Sequence, residues 1–495
     1  VPSLPPYGMQ AGHTAYIMNT GGCETGPAVP HPDNPNIVYS NCKGRFSRYN
    51  KATGQEQEYN VGAYYMYGHD PKDLPFRFQR VSPIHISPHD SKVIYHTSQF
   101  VHKTTDEGKT WETISPDLTA FTPETQGVSG EPFTRDITGE EFYSTIYAIQ
   151  ESKLEKGLIY VGSNDGPVHV SKDGGKKWTD ITPEGLEPGG RVDAVESSSH
   201  QEGKAYVCVL RYQLGDAKPY IYKTKDYGDS WQLITKGIPS DFPVRVVRED
   251  PKREGLLFAG TELGLFVSFD DGENWEQFQS NLPVVPITDI KIHRNDLVLS
   301  TMGRGFWVLD NIQALRDKEI NVLAKPSDTY LYRYSSRGGN VISTHIEYPS
   351  PGVEIDYYLK DSVETPLLLE IKNEDGLVVR RFRSAKGAKD STEISDDMNT
   401  NIFEFKENKA LSPAKGAHRF RWDLRHDNRV LVSPGKYEIK ISHGDFSESQ
   451  DLTLLPDPRM TADGFTLKDY KAQEAFSLEV GEFYKEVQDY TKEAN

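Results

Sequence analysis

One pattern, Ser/Thr-x-Asp-x-Gly-x-x-Trp, occurs four times in this chain and constrains its fold more than any other feature. The copies lie at 104–111, 171–178, 224–231 and 268–275. Their key positions are Asp106, Gly108 and Trp111; Asp173, Gly175 and Trp178; Asp226, Gly228 and Trp231; and Asp270, Gly272 and Trp275. Each copy follows an apolar, strand-like run, at 93–95, 158–161, 205–210 and 256–259. The pattern describes a hairpin turn. The Asp accepts hydrogen bonds from turn N–H groups, the Gly supplies a positive φ, and the Trp packs into the sheet below. Successive Trp residues are 67, 53 and 44 positions apart. One four-stranded propeller blade needs about 40–50 residues, so the first step carries an insertion of roughly twenty. Runs at 36–39 with 46–50, and at 290–292 with 297–299 and 303–310, read as flanking blades without the pattern. The expectation is an all-β chain whose residues 1–322 form a β-propeller of about six to seven blades.

The repeat stops near residue 323, and 323–354 reads as a connecting segment. Period-two alternation resumes over 355–456, where about seven short strands predict an immunoglobulin- or fibronectin-like β-sandwich. Residues 457–495 are rich in helix formers. Tyr470, Phe476, Val480, Phe483, Val487 and Tyr490 recur at helical spacing. That predicts an amphipathic C-terminal helix packed against the rest of the protein.

Composition narrows the function. Lys plus Arg total 56 against 73 Asp plus Glu, a formal charge of −17, with no long basic run. Such a chain repels a phosphate backbone, which argues against nucleic-acid binding. No apolar stretch approaches the ~20 residues of a membrane-spanning helix. The first residue is Val1 rather than Met, as expected of a processed end or a fragment. Cys23 and Cys42 lie 19 apart in Gly/Pro/Asn-rich sequence. There they could pair in an oxidising compartment or remain two free thiols. Cys208 sits in an apolar run and reads as a core residue. No Cys or His pair has zinc-ligand spacing, so no metal site and no cofactor are expected. Acidic loops could hold a structural calcium, although no EF-hand register appears.

The four-fold turn resembles the Asp-box, or BNR, repeat of β-propellers. The resemblance extends through Gly303-Arg304-Gly305-Phe306-Trp307-Val308-Leu309-Asp310, Glu354-Ile355-Asp356-Tyr357-Tyr358-Leu359 and Phe420-Arg421-Trp422-Asp423-Leu424-Arg425. The chain as a whole is similar to the C-terminal half of large secreted bacterial proteins called sortilin-like or "glycosyl hydrolase" BNR-repeat proteins. The resemblance implies a secreted, cell-surface or periplasmic setting, an extracellular glycan or protein partner, and an upstream propeller half or partner chain. Asp-box propellers include sialidases, tandem-propeller xyloglucanases and non-enzymatic sortilins, so fold alone does not choose among them. The arginine motif expected of a sialidase is not found.

Two segments carry candidate chemistry. The insertion between the first two boxes contains Glu131, Arg135, Asp136, Glu140 and Glu141 among aromatics. A glycosidase needs two facing carboxylates, and Asp136, Glu141 and Glu131 are the candidate catalytic residues; a solvated bracing loop is the alternative. The second segment holds Tyr64, Tyr65, Tyr67 and His69, followed by Arg77. With Arg135, these form a candidate sugar-binding set, because aromatic faces stack on sugar rings and arginine donates to hydroxyls. An interdomain contact or a small satellite core is the alternative. The box residues themselves are assigned to structure. The leading expectation is a binding or interaction module; the alternatives are an endo-acting glycoside hydrolase and a structural subunit of a larger complex.

Overall fold

The computed structural model describes residues 20–23, 26–62, 68–127, 142–279, 282–316, 322–332, 352–364, 366–384 and 410–493. The chain divides into two compact units. One comprises Asn19–His293 with Leu297–Val308; the other includes Arg294–Asp296 and the chain from Leu309 onward.

Among the described residues the first unit is a succession of antiparallel meanders, five of four strands and a sixth of three. The first blade pairs Ala28–Pro30, Ile37–Cys42, Arg45–Asn50 and Gln55–Asn60 in order. The next four blades end in two-residue outer strands, Glu112–Thr113, Thr179–Asp180, Gln232–Leu233 and Glu276–Gln277, all exposed. The sixth blade consists of Ile287–His293, Asp296–Thr301 and Phe306–Leu309. From the second blade on, the first strand of each blade contacts the first strand of the next, which makes these the inner strands of a propeller. Strands between neighbouring blades are buried on both faces and read as unbroken apolar runs. Ala205–Leu210, for example, is buried at all six positions.

The four repeated turns join the third and fourth strands of blades two to five. Asp106 Oδ1 accepts from the Thr110 N–H at 2.9 Å and from the Thr104 hydroxyl at 2.8 Å. The Thr104 hydroxyl oxygen in turn accepts the Gly108 N–H at 3.0 Å. Asp173, Asp226 and Asp270 repeat this arrangement with Lys177, Ser230 and Asn274. The Trp indoles reach back to the preceding blade. Trp178, Trp231 and Trp275 donate to the carbonyls of Ile114, Ile181 and Ile234 at 2.9, 2.6 and 2.7 Å. The same three isoleucines pack under Gly175, Gly228 and Gly272, where a Cβ would lie 2.4–2.7 Å from an isoleucine methyl. The motif therefore locks each blade to the one before it, and the Gly is needed for close approach as well as for its positive φ of 85–97°. Cys23 and Cys42 form a disulfide, and Cys208 is free and buried.

The second unit contains a three-stranded and a five-stranded sheet. The first holds Val322–Leu323, Val353–Leu359 and Gly416–Trp422. The second has Thr329–Leu331 on its edge, parallel to Phe446–Pro456, followed by Gly435–His443, Leu368–Asn373 and Val378–Arg383. Their inner faces share one core, in which the fully buried Trp422 lies 5.5 Å from the Tyr437 ring. The Tyr437 hydroxyl donates to the Ser433 carbonyl, which pins the entry to its strand.

The C-terminal helix spans Leu467–Glu493. Asp469 reaches back to the N–H and hydroxyl of Thr466, an N-terminal capping arrangement. Its packing differs from the sequence expectation. Tyr470 is buried in the sandwich core, but Phe476, Val480, Phe483, Val487 and Tyr490 are all exposed. The docked face is Tyr470, Glu474, Ser477, Leu478 and Gly481, with Glu474 held by His426 and the Ser433 N–H. At 100° per residue the apolar positions fall on the far side of the helix.

Candidate binding face

The two ends of the propeller differ chemically. One end carries the repeated turns and the hairpins between first and second strands, joined by backbone bonds such as Gly174 N–H to Gly157 O and Asp271 N–H to Gly255 O. Hydrogen bonds hold the carboxyls of Asp106, Asp173, Asp226 and Asp270 below the usual carboxylate range; for Asp106 and Asp173 the chief cause is the backbone N–H of Thr110 and Lys177. These aspartates are committed to their own turns.

The other end carries the blade-to-blade connections and the second-to-third-strand turns. Here three successive inner strands bulge at the same place. In Ile146–Glu151 the pairing skips Tyr147, in Arg191–Ser197 it skips Asp193, and in Val244–Glu249 it skips Arg245. A bulge re-aims the extra side chain, and such irregularities favour functional rims. The three side chains belong to one cluster. Arg191 pairs with Asp193 through Nε and through Nη2 at 3.0 Å, and its guanidinium lies 4.6 Å above the Tyr147 ring. Arg245 Nη1 approaches Asp193 at 3.6 Å, and its Nε donates to Glu262 at 2.5 Å. Tyr212, 41% exposed, flanks Arg245 at 5.9 Å. Burial pushes the Asp193 carboxyl above its ordinary range, against the pull of Arg191 and Arg245. The outcome is an array of two arginines, two carboxylates and two tyrosines at the loop end, held in fixed orientation, with Tyr212 exposed, Arg245 buried and the other four half-buried.

The sequence candidates distribute as follows. Tyr64, Tyr65, Tyr67, Glu131, Arg135, Asp136, Glu140 and Glu141 lie outside the described residues. His69 is exposed, just ahead of a short turn at Pro71–Asp73. Arg77 is buried at the base of the insertion: Nε donates to Ser144 O at 2.8 Å, and Nη2 reaches Asp117 and Thr119 at 2.8 and 3.2 Å. Its guanidinium also lies 4.6 Å from the Phe121 ring. Asp165 accepts the N–H groups of Ala120 and Phe121, and Asn164 donates to Phe142 O. The described flanks of the insertion are thereby pinned at the loop end. Tyr147, Arg191, Asp193, Tyr212, Arg245 and Glu262 were not singled out in the sequence. The usable signal was a polar residue interrupting an apolar run at the second or third position of three inner strands. Among the described residues no group of three or more His, Cys, Asp or Glu could hold a metal ion. Nor is any helix there long and apolar enough to cross a membrane.

No family model matches the chain. A stretch of 109 residues is 34% identical to vacuolar protein sorting/targeting protein 10 of Laccaria bicolor, covering 21% of this chain and 7% of that protein. Among solved structures, the chain is similar to the GH74 xyloglucanase from Xanthomonas campestris. There the identity is 18% and the TM-score 0.39, over 63% of this chain and 57% of the enzyme. It is also similar to YCF48 from Cyanidioschyzon merolae, with 11% identity and a TM-score of 0.38 over 56% of this chain and 79% of that one.

Proposed function

We propose that this chain is an Asp-box β-propeller module of an extracellular or periplasmic protein, and that it binds a glycan at the loop end of the propeller. The observation that carries the reading is the bulge-built cluster of Tyr147, Asp193 and Arg245 with Arg191, Tyr212 and Glu262. Tyrosine faces stack on sugar rings, while fixed arginines and carboxylates hydrogen-bond hydroxyls in defined directions. Pre-formed orientation lowers the ordering cost of binding. The Cys23–Cys42 disulfide supports an oxidising compartment.

One observation favours a second reading, hydrolysis. The raised Asp193 carboxyl has the character of a general acid. Against it, both Asp193 oxygens are engaged by Arg191, and Glu262 is engaged by Arg245. That arrangement suits orientation better than proton transfer.

The test is a panel of plant, algal and host polysaccharides presented to the intact chain, scored both for binding and for new reducing ends. Saturable binding without reducing ends, weakened at least about tenfold by Tyr212→Ala, supports the proposal. New reducing ends abolished by Asp193→Asn would replace it with the hydrolase. Binding unaffected by Tyr212→Ala and Arg245→Ala would move the site away from this end.

A further inference from the structure

The exposed face of the C-terminal helix has a stricter order than amphipathicity requires. Phe476, Val480, Phe483, Val487 and Tyr490 are spaced four, three, four and three residues apart. That is an unbroken 3.5-residue period, with valine at both a positions and an aromatic residue at each d position. A surface helix packed on a globular core follows a broader 3.6-residue stripe, whereas a two-helix seam follows the strict heptad. Among the described residues nothing covers the seam. Phe476 and Phe483 are each 67% exposed and Tyr490 is 73% exposed, while the opposite face is docked on the sandwich through Tyr470 and Glu474.

The flanking positions set the orientation in which a second copy of the helix would meet this seam. Glu479 and Glu486 occupy g positions; Ser477, Tyr484 and Thr491 occupy e positions. In a parallel pair of identical helices, g faces the e of the partner's next heptad, so Glu479 meets Tyr484 and Glu486 meets Thr491 of the other copy. Acids then face hydroxyl groups. In an antiparallel pair g faces g, and the glutamates face one another. We propose that this seam is where two copies of the chain pair, as a parallel two-stranded coiled coil. The seam is short, but the sandwich already holds the start of the helix, which removes much of the nucleation cost that defeats short isolated helices. Pairing places two propellers in one assembly, so a multivalent ligand would be held more tightly than by one copy. The proposal stands independently of what the propeller binds.

The experiment is sedimentation of the full chain over a range of micromolar concentrations. The expected result is a mass rising toward twice 55.8 kDa. Because each copy carries a formal charge of −17, association should strengthen as salt is raised. Phe483→Glu puts facing carboxylates in the seam and should raise the dissociation constant at least about tenfold. The side chain is exposed, so the melting curve of that variant at monomeric concentration should match the parent. Val487→Cys sets the orientation. A parallel pair brings the two cysteines into one layer, where a short bismaleimide joins them; an antiparallel pair does not. A chain that stays monomeric, a dimer indifferent to Phe483→Glu, or a dimer that Val487→Cys cannot cross-link would each overturn the proposal. So would a monomer that floats with lipid vesicles in a Phe483-dependent way, which would assign the seam to a membrane surface.

Discussion

Two adjacent glycines in one turn separate the two reasons a glycine can be needed there. Gly174 and Gly175 both have positive φ, 74° and 97°. A Cβ on Gly174 would meet nothing within 4 Å; a Cβ on Gly175 would lie 2.7 Å from Ile114 Cδ1 and 3.0 Å from Ile114 Cβ. Three of the four turns already accept a side chain at the Gly174 position, with Glu107, Tyr227 and Asp271 at φ of 60–64°. Gly174→Ala should therefore cost only the left-handed backbone penalty, about 1 kcal/mol. Gly175→Ala adds overpacking against the preceding blade, typically 1–3 kcal/mol, for a total of about 2–4 kcal/mol. Guanidinium unfolding followed by tryptophan fluorescence measures both, since Trp178 closes the same turn and donates to Ile114 O. The chain has two units, so the comparison should use the transition that Trp178 reports rather than a single global free energy. A double-mutant cycle then isolates the contact. In the Ile114→Ala background the methyl that clashes is gone, and Gly175→Ala should cost about 1–2 kcal/mol less than it does alone. Equal costs for the two glycines, or strict additivity with Ile114→Ala, would refute the blade-locking account of the motif.

Two further outcomes are expected. His96 is fully buried, donates from Nδ1 to Pro83 O and, among the described residues, has no acceptor for a second proton at Nε2. Burial lowers its pKa from 6.5 to about 4. Below pH 6.5 the unfolded chain binds a proton that the folded chain refuses, so stability is full above 6.5 and falls between 6.5 and about 4. The loss approaches about 3 kcal/mol for this residue. Denaturation midpoints measured across that window should fall more steeply in the parent than in His96→Gln; identical slopes would show that His96 does not control the fall. Reduction of Cys23–Cys42, or Cys23→Ser, reopens a loop of sequence separation 19 and should cost about 3 kcal/mol, read as a lowered urea midpoint. The thiol of Cys208 should stay unlabelled in the folded protein under the same reductant, because it is buried and its pKa is pushed up by burial.

What the sequence made legible depended on whether a residue's role is local. The turns at Asp106, Asp173, Asp226 and Asp270 close hydrogen bonds within four residues, so their pattern survives in the linear chain and discloses the propeller. The partner of each turn does not survive in this way. Ile114, Ile181 and Ile234 look like ordinary apolar residues, although each sits under the glycine and tryptophan of the following blade. The loop-end cluster was illegible for the same reason. Asp193 meets Arg245 only because two blades stand side by side, and nothing at positions 193 and 245 announces a pairing across 52 residues. Arg77 shows the converse error to which local reading is prone. Its aromatic surroundings suggested a sugar contact, whereas its nearest groups, Ser144 O, Asp117 and Thr119, lie 40 to 67 positions away. The C-terminal helix was recognisable from its period, but which face would dock was not. The core took Tyr470 and Glu474, because His426 and the Ser433 N–H satisfy that carboxylate.

The repeated motif and the proposed site therefore cannot exchange roles. A residue that binds a ligand must keep donors, acceptors or aromatic faces available to it. In the repeated turns the carboxylates of Asp106, Asp226 and Asp270 do not, since both oxygens of each are taken by groups no more than four residues away. In three of these blades the first strand breaks its pairing register near the opposite end, at Tyr147, Asp193 and Arg245. A break in the ladder sacrifices pairing in a fold otherwise held by pairing, and it recurs in three consecutive blades. Were these bulges defects of packing, restoring regular pairing by deleting Tyr147, the extra residue of its strand, would raise stability and leave ligand binding intact. On the reading advanced here the same deletion removes the ring beneath Arg191 and abolishes binding, whatever it does to the melting curve.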